Sequence, residues 1–387
     1  MNIKRKAVIV TPFDNYSYNV RVKYIEQCLY SMGYDVIVLS ADYDHRKKCH
    51  YSAQRPNLEL LHVPEYRSNL SFQRMYSHYC FAKSVYNKLR EIRPELIYGS
   101  TPPNFLVKFL AKYKKRFHDV KLVYEIGDLW PETLPLSEKI KKAASPFLYV
   151  WRILRDRYIN VGDGVICECN LFKDVIGKHV KLHNAQTIYL CKESRLDSFT
   201  PKSIKDTLYF AYVGSINNII DTDLIVEVLK SVKQYKPVHF DIIGDGEKAD
   251  ELEKGCKDAG IDYVNHGLVY DEQQKLSILG KCQFAFNIMK TSVMVGATMK
   301  SLEYFHSGLM LINNISADTE DIISQYGCGF NVSKENIDTI SNEIAKLTAE
   351  DIVRMQKASR LVFEETFDER VITKQFKQYI ESICERS

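Results

Sequence analysis

Short apolar runs that alternate with amphipathic stretches constrain the fold of this 387-residue chain more than any other feature. Residues 6–11 read KAVIVT, the continuous apolar run of a strand buried on both faces, and residues 35–40 read DVIVLS. Between them the apolar positions recur at helical spacing from Val22 to Met32, and Gly33 follows. Such strand–helix–strand units predict a parallel sheet with right-handed crossovers.

The same alternation recurs along the chain and restarts after a polar stretch at 192–206 that has no apolar period. The pattern predicts further strands at 96–100, 121–127, 162–169, 187–191, 208–214, 239–244, 263–267, 284–289 and 309–314. We therefore expect an α/β protein with two doubly wound, Rossmann-like domains that face a cleft. The predicted bounds are 1–195 for the first domain, 196–206 for the linker and 207–365 for the second domain.

Composition excludes several classes of protein. With 45% hydrophobic and 26% charged residues, the chain is not disordered. It holds no apolar run near the roughly 20 residues of a membrane span, and its N-terminal apolar run predicts a strand rather than a signal peptide. The ten cysteines form no C-x-x-C pair, so the sequence predicts a reduced cytoplasmic protein and no metal site.

Charge is divided unevenly between the two halves. Residues 1–200 hold 32 Lys and Arg against 20 Asp and Glu, whereas residues 201–387 hold 21 against 29. A basic half joined to an acidic half suggests domains with different partners. Nucleic acid is not expected among them, because no RNA-binding or zinc-finger pattern is present and the acidic half opposes it.

Loops that follow strands are where ligands bind in such sheets. Gly214-Ser215 follows one predicted strand directly, and Gly244 follows the next. Glycines there let a phosphate approach the backbone and the next helix N-terminus. A tight turn explains the same glycines equally well.

The segment from Thr298 to Tyr304 is the sharpest local feature. Thr298 suits a helix N-cap, which puts Lys300 in the first turn, where a cation opposes the helix dipole. A bound anion would reverse that penalty, so Lys300, the hydroxyls of Thr298 and Ser301 and the free amides predict a diphosphate site. Glu303, one turn further, is a candidate acceptor for sugar hydroxyls. The alternative is an ordinary solvated lysine.

At these residues the sequence resembles the retaining GT-B glycosyltransferases of glycosyltransferase family 4, in particular those of bacterial polysaccharide assembly. The resemblance covers nearly the whole chain. It runs through FAYVGS, FDIIGDG, VNHGLVYDEQQKLSILGKCQFAFNIMK, MKSLEYFHSGLMLI, STPPNF and DLWPETLP. It implies that the helix within 366–387 returns to the first domain.

The resemblance also implies roles for individual residues. A nucleotide sugar, most simply a UDP-sugar, would dock on the second domain, with Glu303 on the ribose, Gly214 against the diphosphate and His266-Gly267 near the base. The first domain would bind the acceptor. The family uses no metal or other cofactor, because cations and helix N-termini neutralise the leaving diphosphate.

Three departures from the family pattern affect these roles. The first of the two family glutamates is Val295 here, the loop SINNIID carries no basic pair, and Gly127 replaces the usual His or Arg. Lys290 and Lys300 are then the candidate cations, with Arg21 helping from the first domain. The losses leave a second hypothesis, a non-catalytic GT-B scaffold or partner subunit of another transferase.

Acceptor chemistry is expected at the segment YEIGDLWP. Asp128 follows a strand directly and could orient an acceptor hydroxyl or take its proton, with Glu125 as second candidate. An Asx-turn is the alternative for Asp128, and core packing is the alternative for Trp130. The family's retaining transfer is assigned to front-face attack, so no covalent intermediate is predicted.

Residues 145–159 predict a basic amphipathic helix, with Ser145 at the N-cap and Pro146 at the first helical position. Phe147, Trp151, Leu154 and Tyr158 recur at helical spacing. The stripe suits either an anionic membrane surface or the protein core. Membrane contact at the inner face would suit a lipid-linked glycan acceptor and a hexosyltransferase of capsule, exopolysaccharide or O-antigen synthesis.

Overall fold

The computed structural model describes residues 5–13, 20–52, 55–134, 136, 138–194, 199–202 and 206–385. The chain divides into two compact units. The first is Met1–Tyr189 with Thr373–Ser387, and the second is Leu190–Ile372. This division lies between residues 189 and 190, a few residues before the linker that the sequence pattern predicts.

Parallel strands form the centre of the first unit. Its strands are β1 (Arg5–Val10), β2 (Tyr34–Ala41), β3 (Tyr43–Asp44), β4 (Cys49–His50), β5 (Leu58–Leu61), β6 (Leu96–Thr101), β7 (Lys121–Ile126), β8 (Gly164–Cys167) and β9 (Ala185–Thr187). Seven of them pair in parallel in the order β5-β2-β1-β6-β7-β8-β9, and β3 and β4 form a separate antiparallel pair. The predicted parallel sheet is therefore confirmed.

Helices cover this sheet. They are α1 (Val20–Ser31), α2 (Phe72–Ile92), α3 (Asn104–Arg116), α4 (Glu138–Ala143), α5 (Ser145–Asp156) and α6 (Asn170–Gly177). A 3₁₀ turn, Ile159–Val161, follows α5. The strand residues Val8, Ile97 and Val123 are fully buried, as expected for strands with both faces covered.

The structure differs from the predicted elements of the first unit in several places. Residues 41–95, for which the pattern assigns no element, contain β5 and the 21-residue α2. The predicted strand at 187–191 lies at Ala185–Thr187 instead. Helix α5 begins one residue early, so its N-cap is Ala144 rather than Ser145.

The second unit repeats the architecture with a six-stranded parallel sheet in the order β12-β11-β10-β13-β14-β15. Its strands are β10 (Leu208–Val213), β11 (Val238–Ile243), β12 (Asp262–Asn265), β13 (Phe284–Asn287), β14 (Met310–Asn313) and β15 (Gly329–Asn331). Its helices are α7 (Thr222–Lys233), α8 (Ala249–Asp258), α9 (Glu272–Leu279), α10 (Met299–His306), α11 (Asp318–Tyr326), α12 (Ile337–Lys346) and α13 (Ala349–Val362). Stacked rings of Phe210, Phe284 and Phe286 fill the core beside the central strands.

The last helix, α14 (Glu369–Glu385), follows a π turn at Phe363–Phe367 and supplies the C-terminal part of the first unit. The Tyr379 hydroxyl donates to the carbonyl of Val165 at 3.2 Å and to that of Asn184. The Phe376 ring packs edge-on against Tyr98. None of the helices in the described ranges combines the length and the apolar character that a membrane span requires.

The described part of the polar stretch at 192–206 is held by side chains rather than by an apolar face. The Lys202 backbone N–H donates to Gln356 Oε1 at 2.7 Å, and Arg360 Nη2 donates to Ser194 Oγ at 3.0 Å. Residues 195–198 and 203–205 lie outside the described residues. Because these contacts are polar, the sequence shows no apolar period in this stretch.

Candidate functional site

Two glycines meet where β10 and β11 of the second unit end. A Cβ on Gly244 would lie 2.0 Å from the carbonyl oxygen of Gly214, so a side chain there cannot be accommodated without moving backbone. Gly214 itself has φ +123°, a conformation that favours glycine. The two loops therefore expose backbone at close range, at the edge of the sheet where ligands bind in this architecture.

Lys300 extends across this glycine pair. Its Cε lies 3.0 Å from the position that a Cβ on Gly214 would take. Its Nζ donates to the Tyr212 hydroxyl and lies 4.3 Å from the centre of that ring, and the hydroxyl donates in turn to the Ser215 carbonyl at 2.9 Å. Burial lowers the pKa of Lys300 to about 7. No described carboxylate forms an ion pair with Lys300, which leaves this cation ready for an external anion.

The hydroxyls of Thr298 and Ser301 are engaged by the helix itself. Thr298 Oγ1 accepts from the Ser301 N–H at 3.0 Å, and Ser301 Oγ accepts from the Thr298 N–H at 3.1 Å, which is a reciprocal capping box. Both residues are buried. The structure thus places the two predicted phosphate ligands in the role of holding the start of α10, where they position Lys300.

A ladder of asparagines supports that helix start. Thr298 Oγ1 donates to Asn287 Oδ1 at 2.8 Å, Asn287 Nδ2 donates to Asn313 Oδ1 at 2.9 Å, and Asn313 Nδ2 donates to Asn331 Oδ1 at 2.9 Å. Sequence reasoning missed these residues. A signal was present, since β13, β14 and β15 each end in asparagine.

Glu303 lies in a four-residue ion cluster. Its Oε2 accepts from Lys192 at 2.7 Å and from Lys275 at 3.1 Å, and both lysines also pair with Glu272 at 2.7 Å. Glu303 Oε1 is buried and has no hydrogen-bond partner among the described residues. One oxygen is therefore anchored by charge, while the other can accept a hydrogen bond from a ligand hydroxyl.

This cluster predicts a specific acid sensitivity. The two lysines lower the pKa of Glu272 from 4.5 to about 2, against the opposing effect of burial. A depressed carboxyl pKa stabilises the fold above pH 4.5, and that stabilisation is lost as the pH falls from 4.5 towards 2. We expect Glu272→Gln to cost about 1–2 kcal/mol at pH 6, after solvent screening, and much less at pH 3.

Urea unfolding at pH 6 and at pH 3 measures this difference. The exposed Glu343, changed to Gln, is the matched control and should show no pH-dependent cost. Equal costs for Glu272→Gln at both pH values would contradict the coupling to the lysines.

His266 and Gly267 follow β12 at the same edge of the sheet. His266 Nε2 lies 2.7 Å from Asp241 Oδ1, which orients the ring, and Gly267 has φ +64°. Lys290 is exposed, and its backbone N–H donates to the Ile219 carbonyl at 2.8 Å. The structure thus places His266, Gly267 and Lys290 in loops at the strand ends, where the His266 side chain is partly exposed and that of Lys290 is exposed.

In the first unit, Arg21 and Glu125 form a buried ion pair. Arg21 Nε donates to Glu125 Oε1 at 2.6 Å, and its other two nitrogens donate to the carbonyls of Tyr189 and Ile188. Glu125 Oε2 accepts from Ser100 Oγ at 3.0 Å. The predicted donor contact of Arg21 is thus replaced here by hydrogen bonds that tie α1 to β7 and to the end of the first unit.

Glu168 is a titratable group that sequence reasoning missed. It follows β8, and its Oε1 lies 3.2 Å from the position that a Cβ on Gly127 would take. Burial and the nearby Glu125 carboxylate raise the pKa of Glu168 to about 8, so this group carries a proton at neutral pH. Its place at the end of the strand predicted at 162–169 was the available signal.

Asp128 closes a turn at the end of β7. Its Oδ2 accepts from Trp130 Nε1 at 2.7 Å, and its Oδ1 accepts from the Thr133 hydroxyl. Burial raises the pKa of Asp128 despite these hydrogen bonds. The carboxylate therefore has the turn-forming contacts of the alternative interpretation and, in addition, the raised pKa of a group suited to accept a proton.

A cluster of possible metal ligands lies apart from these residues. Among the described residues, Asp42, His50 and His62 bring their ligand atoms within 4.8 Å of one another. Asp42 Oδ2 lies 2.8 Å from His62 Nδ1, and Asp42 Oδ1 lies 3.1 Å from His50 Nδ1. Contacts between the carboxylate and the two imidazoles account for this cluster, and we assign no metal to it.

Part of the chain matches a known protein family, and its whole fold matches solved structures. Residues 19–190 match the family model described as Glycosyltransferase Family 4. No curated protein sequence matches the chain. Sucrose-phosphate synthase from Thermosynechococcus elongatus superposes with a TM-score of 0.72 at 11% identity, over 99% of this chain and 100% of that one. The fold is GT-B.

Two further solved structures share the GT-B fold with this chain. Anabaena HepE in complex with UDP has a TM-score of 0.66 at 13% identity, over 98% of this chain and 100% of that one. WaaB, a lipopolysaccharide outer core galactosyltransferase, has a TM-score of 0.68 at 15% identity, over 98% and 99%. At these identities the likeness establishes the GT-B architecture, and residue roles depend on the geometry described above.

Proposed function

We propose that the chain is a retaining glycosyltransferase that moves a hexose-type sugar from a nucleotide-sugar donor, most simply a UDP-sugar, to a lipid-linked glycan. The family match, the GT-B fold and the UDP bound to HepE support a nucleotide-sugar donor. The observation that carries the proposal is Lys300, a half-buried cation beside two glycines whose backbones are in contact. Its product would belong to capsule, exopolysaccharide or O-antigen.

The second unit binds the donor in this proposal. The diphosphate lies against Gly214, Ser215 and Gly244 and takes the charge of Lys300, with Lys290 as a second, exposed cation. Glu303 Oε1 accepts from a ribose hydroxyl. His266 and Gly267 flank the base. The lysine charge stabilises the leaving diphosphate, so the reaction requires no metal ion.

The first unit binds the acceptor. Asp128 orients the acceptor hydroxyl and accepts its proton, because its carboxylate lies at a strand end and burial raises its pKa above its ordinary value. Glu125 acts indirectly, since its ion pair with Arg21 holds β7 in place. Attack proceeds from the front face without a protein nucleophile. We place the reaction at the inner face of the membrane, because α5 exposes Phe147, Tyr149 and Val150 and the preceding α4 exposes Lys139 and Lys142.

Thermal-shift measurements with UDP, GDP, ADP and CMP test the donor assignment. A nucleotide at 100 times its dissociation constant should raise the free energy of unfolding by about 2.7 kcal/mol. We expect UDP to give that increase and CMP to give none. An absence of stabilisation by every nucleotide would contradict the donor site.

A non-catalytic GT-B subunit is the second candidate. Val295 at the position of the first family glutamate, and the absence of Lys or Arg from residues 215–221, favour it. Donor hydrolysis separates the two candidates. Hydrolysis that is lost in Glu303→Ala and Lys300→Ala supports the enzyme, whereas wild-type protein that neither hydrolyses nor transfers any donor supports the scaffold.

A further inference from the structure

The first unit contains a cavity of about 340 Å³ that the proposed chemistry does not use. It lies between the start of α2, the segment after β7, and helices α4 and α5. Its lining is mostly apolar and aromatic: Leu70, Phe72, Met75, Trp130, Leu134, Leu136, Ile140, Ala144, Phe147, Leu148 and Trp151, with Asn69, Ser71, Arg74 and His78. A lining of this kind favours a hydrocarbon ligand over a glycan.

The rim of the cavity exposes large apolar side chains to solvent. Phe72 is 84% exposed, and Leu70, Ile140 and Phe147 are each about half exposed. Helix α5 turns Trp151 and Arg155 inwards, which leaves its aromatic and aliphatic residues on the outer face. A contiguous apolar surface of this kind marks an interaction site rather than ordinary surface.

Arg74 and His78, two buried side chains that contain nitrogen, form the floor of the cavity. Arg74 is 8% exposed and lies 4.5 Å from the centre of the Trp130 ring, and its Nε has no hydrogen-bond partner among the described residues. His78 is 4% exposed, stacks on Trp130, and both its ring nitrogens lack described partners. Burial lowers the pKa of His78 to about 3, so Arg74 supplies the charge of this floor.

Arg74 is only partly neutralised. Its Nη1 donates to the Asn69 carbonyl at 2.9 Å, and it also interacts with the Tyr66 hydroxyl. Asp128 is the carboxylate that raises its pKa electrostatically, and the two oxygens of Asp128 already accept from Trp130 and Thr133. A buried guanidinium without an ion-pair partner favours an anionic ligand.

We propose that this cavity binds the acceptor's lipid: its hydrocarbon chain lies along the aromatic walls, and the phosphate that joins chain to glycan lies at Arg74. The inference rests on the proposed lipid-linked acceptor, and it names the lipid as the part that anchors this acceptor to the protein. Exposed basic residues on α4, Lys139 and Lys142, extend the positive charge outside the cavity. A peptide is disfavoured, because apolar walls leave its backbone groups without partners.

Tryptophan fluorescence, excited selectively over that of the tyrosines, reports on this cavity, because the chain has two tryptophans, Trp130 and Trp151, and both line it. The probe is farnesyl diphosphate, with farnesol and inorganic diphosphate as separate arms and no donor present. We expect a saturable change with farnesyl diphosphate, at least tenfold weaker binding of farnesol, and no change with diphosphate. Equal binding of farnesol and farnesyl diphosphate would overturn the proposal.

Variants of cavity residues distinguish binding of the ligand's hydrocarbon chain from binding of its phosphate. Arg74→Gln should remove the preference for farnesyl diphosphate over farnesol, and Ala144→Phe, which fills the cavity, should abolish binding of both. Phe72→Ser alters an exposed rim residue without disturbing the fold and should weaken both at least fivefold. The matched controls, Tyr270→Ser at an 87% exposed aromatic and Arg116→Gln at an exposed arginine, should bind as wild type.

Two outcomes distinguish this inference from the proposed function. Unchanged binding in both Phe72→Ser and Ala144→Phe refutes the cavity site, whatever the nucleotides do. Saturable lipid binding in a protein that none of UDP, GDP, ADP and CMP stabilises refutes the donor site and leaves the lipid site standing. Vesicles of phosphatidylglycerol that displace farnesyl diphosphate at equal lipid concentration would show a general lipid surface instead, and would also overturn the assignment.

Discussion

Replacing Lys300 with methionine is expected to lower the rate of sugar transfer about 10²–10³-fold, the loss typical of removing one group that stabilises developing negative charge. Lys300 is the cation beside the contact of Gly214 with Gly244. In this half-buried position its charge acts through a lower effective dielectric than a surface lysine would. Affinity for UDP should fall along with the rate, which isothermal titration measures.

The stability of the unliganded protein should not fall in Lys300→Met, in contrast to its transfer rate and its affinity for UDP. Burial lowers the pKa of Lys300 to about 7, so keeping the ammonium charged costs free energy when no anion is bound. Methionine keeps an apolar stem of similar length, and the Tyr212 hydroxyl still donates to the Ser215 carbonyl. We therefore expect an equal or higher thermal midpoint for Lys300→Met.

Lys281→Met, a change at an exposed lysine of the same unit, is the matched control and should retain transfer and UDP binding. Wild-type affinity should also weaken as the pH rises above 7, because the Lys300 amine becomes neutral. Lys300→Arg stays charged and should lose this pH dependence. UDP affinity that survives in Lys300→Met would place the diphosphate elsewhere.

Sequence patterns predicted the sheets well because their strands are buried on both faces. The runs at 208–214, 284–289 and 309–314 are mainly apolar, and each contains a strand of the second unit. Helix α2 gave no such signal. Its first turns bury Arg74, Ser77 and His78 rather than apolar side chains, so the helical period is visible only after Phe81.

The candidate site could be predicted only as far as local chain position determines it. Gly214, Gly244 and Lys300 were selected because each directly follows a strand or begins a helix. Their mutual contact, and the sharing of Glu303 between two lysines, depend on residues far apart in the chain. Lys192 is 111 residues from Glu303, and no local pattern relates the two.

Arg21 illustrates the same limit. A basic residue in the first helix suggested a contact with the donor, but the guanidinium pairs with Glu125, 104 residues away. The buried carboxylate requires a partner charge, because an unpaired one would cost several kcal/mol. The sequence alone did not reveal that Glu125 is buried. That burial is the reason why Arg21 pairs with Glu125.

Changing Asp128 to asparagine is expected to lower the transfer rate about 10²–10⁴-fold while UDP affinity stays unchanged, as for the loss of a general base. Burial raises the pKa of Asp128, so the wild-type rate should fall on the acid side as the carboxylate becomes protonated. The amide of the Asp128→Asn variant does not titrate, and its residual rate should lack that acid limb. Rates measured with a saturating acceptor across the acid and neutral pH range compare the two profiles.

The turn that Asp128 closes should survive this change. The asparagine Oδ1 can accept from Trp130 Nε1, and its Nδ2 can donate to the Thr133 hydroxyl, which accepts as well as donates. Thr133→Val provides the converse control, because it removes one of these hydrogen bonds and leaves the carboxylate in place. If Asp128 only shaped the turn, Asp128→Asn would retain transfer, and Thr133→Val, which removes a turn hydrogen bond, would impair transfer more. If Asp128 is the general base, Thr133→Val should retain most of the transfer rate, and that rate should still fall at acid pH.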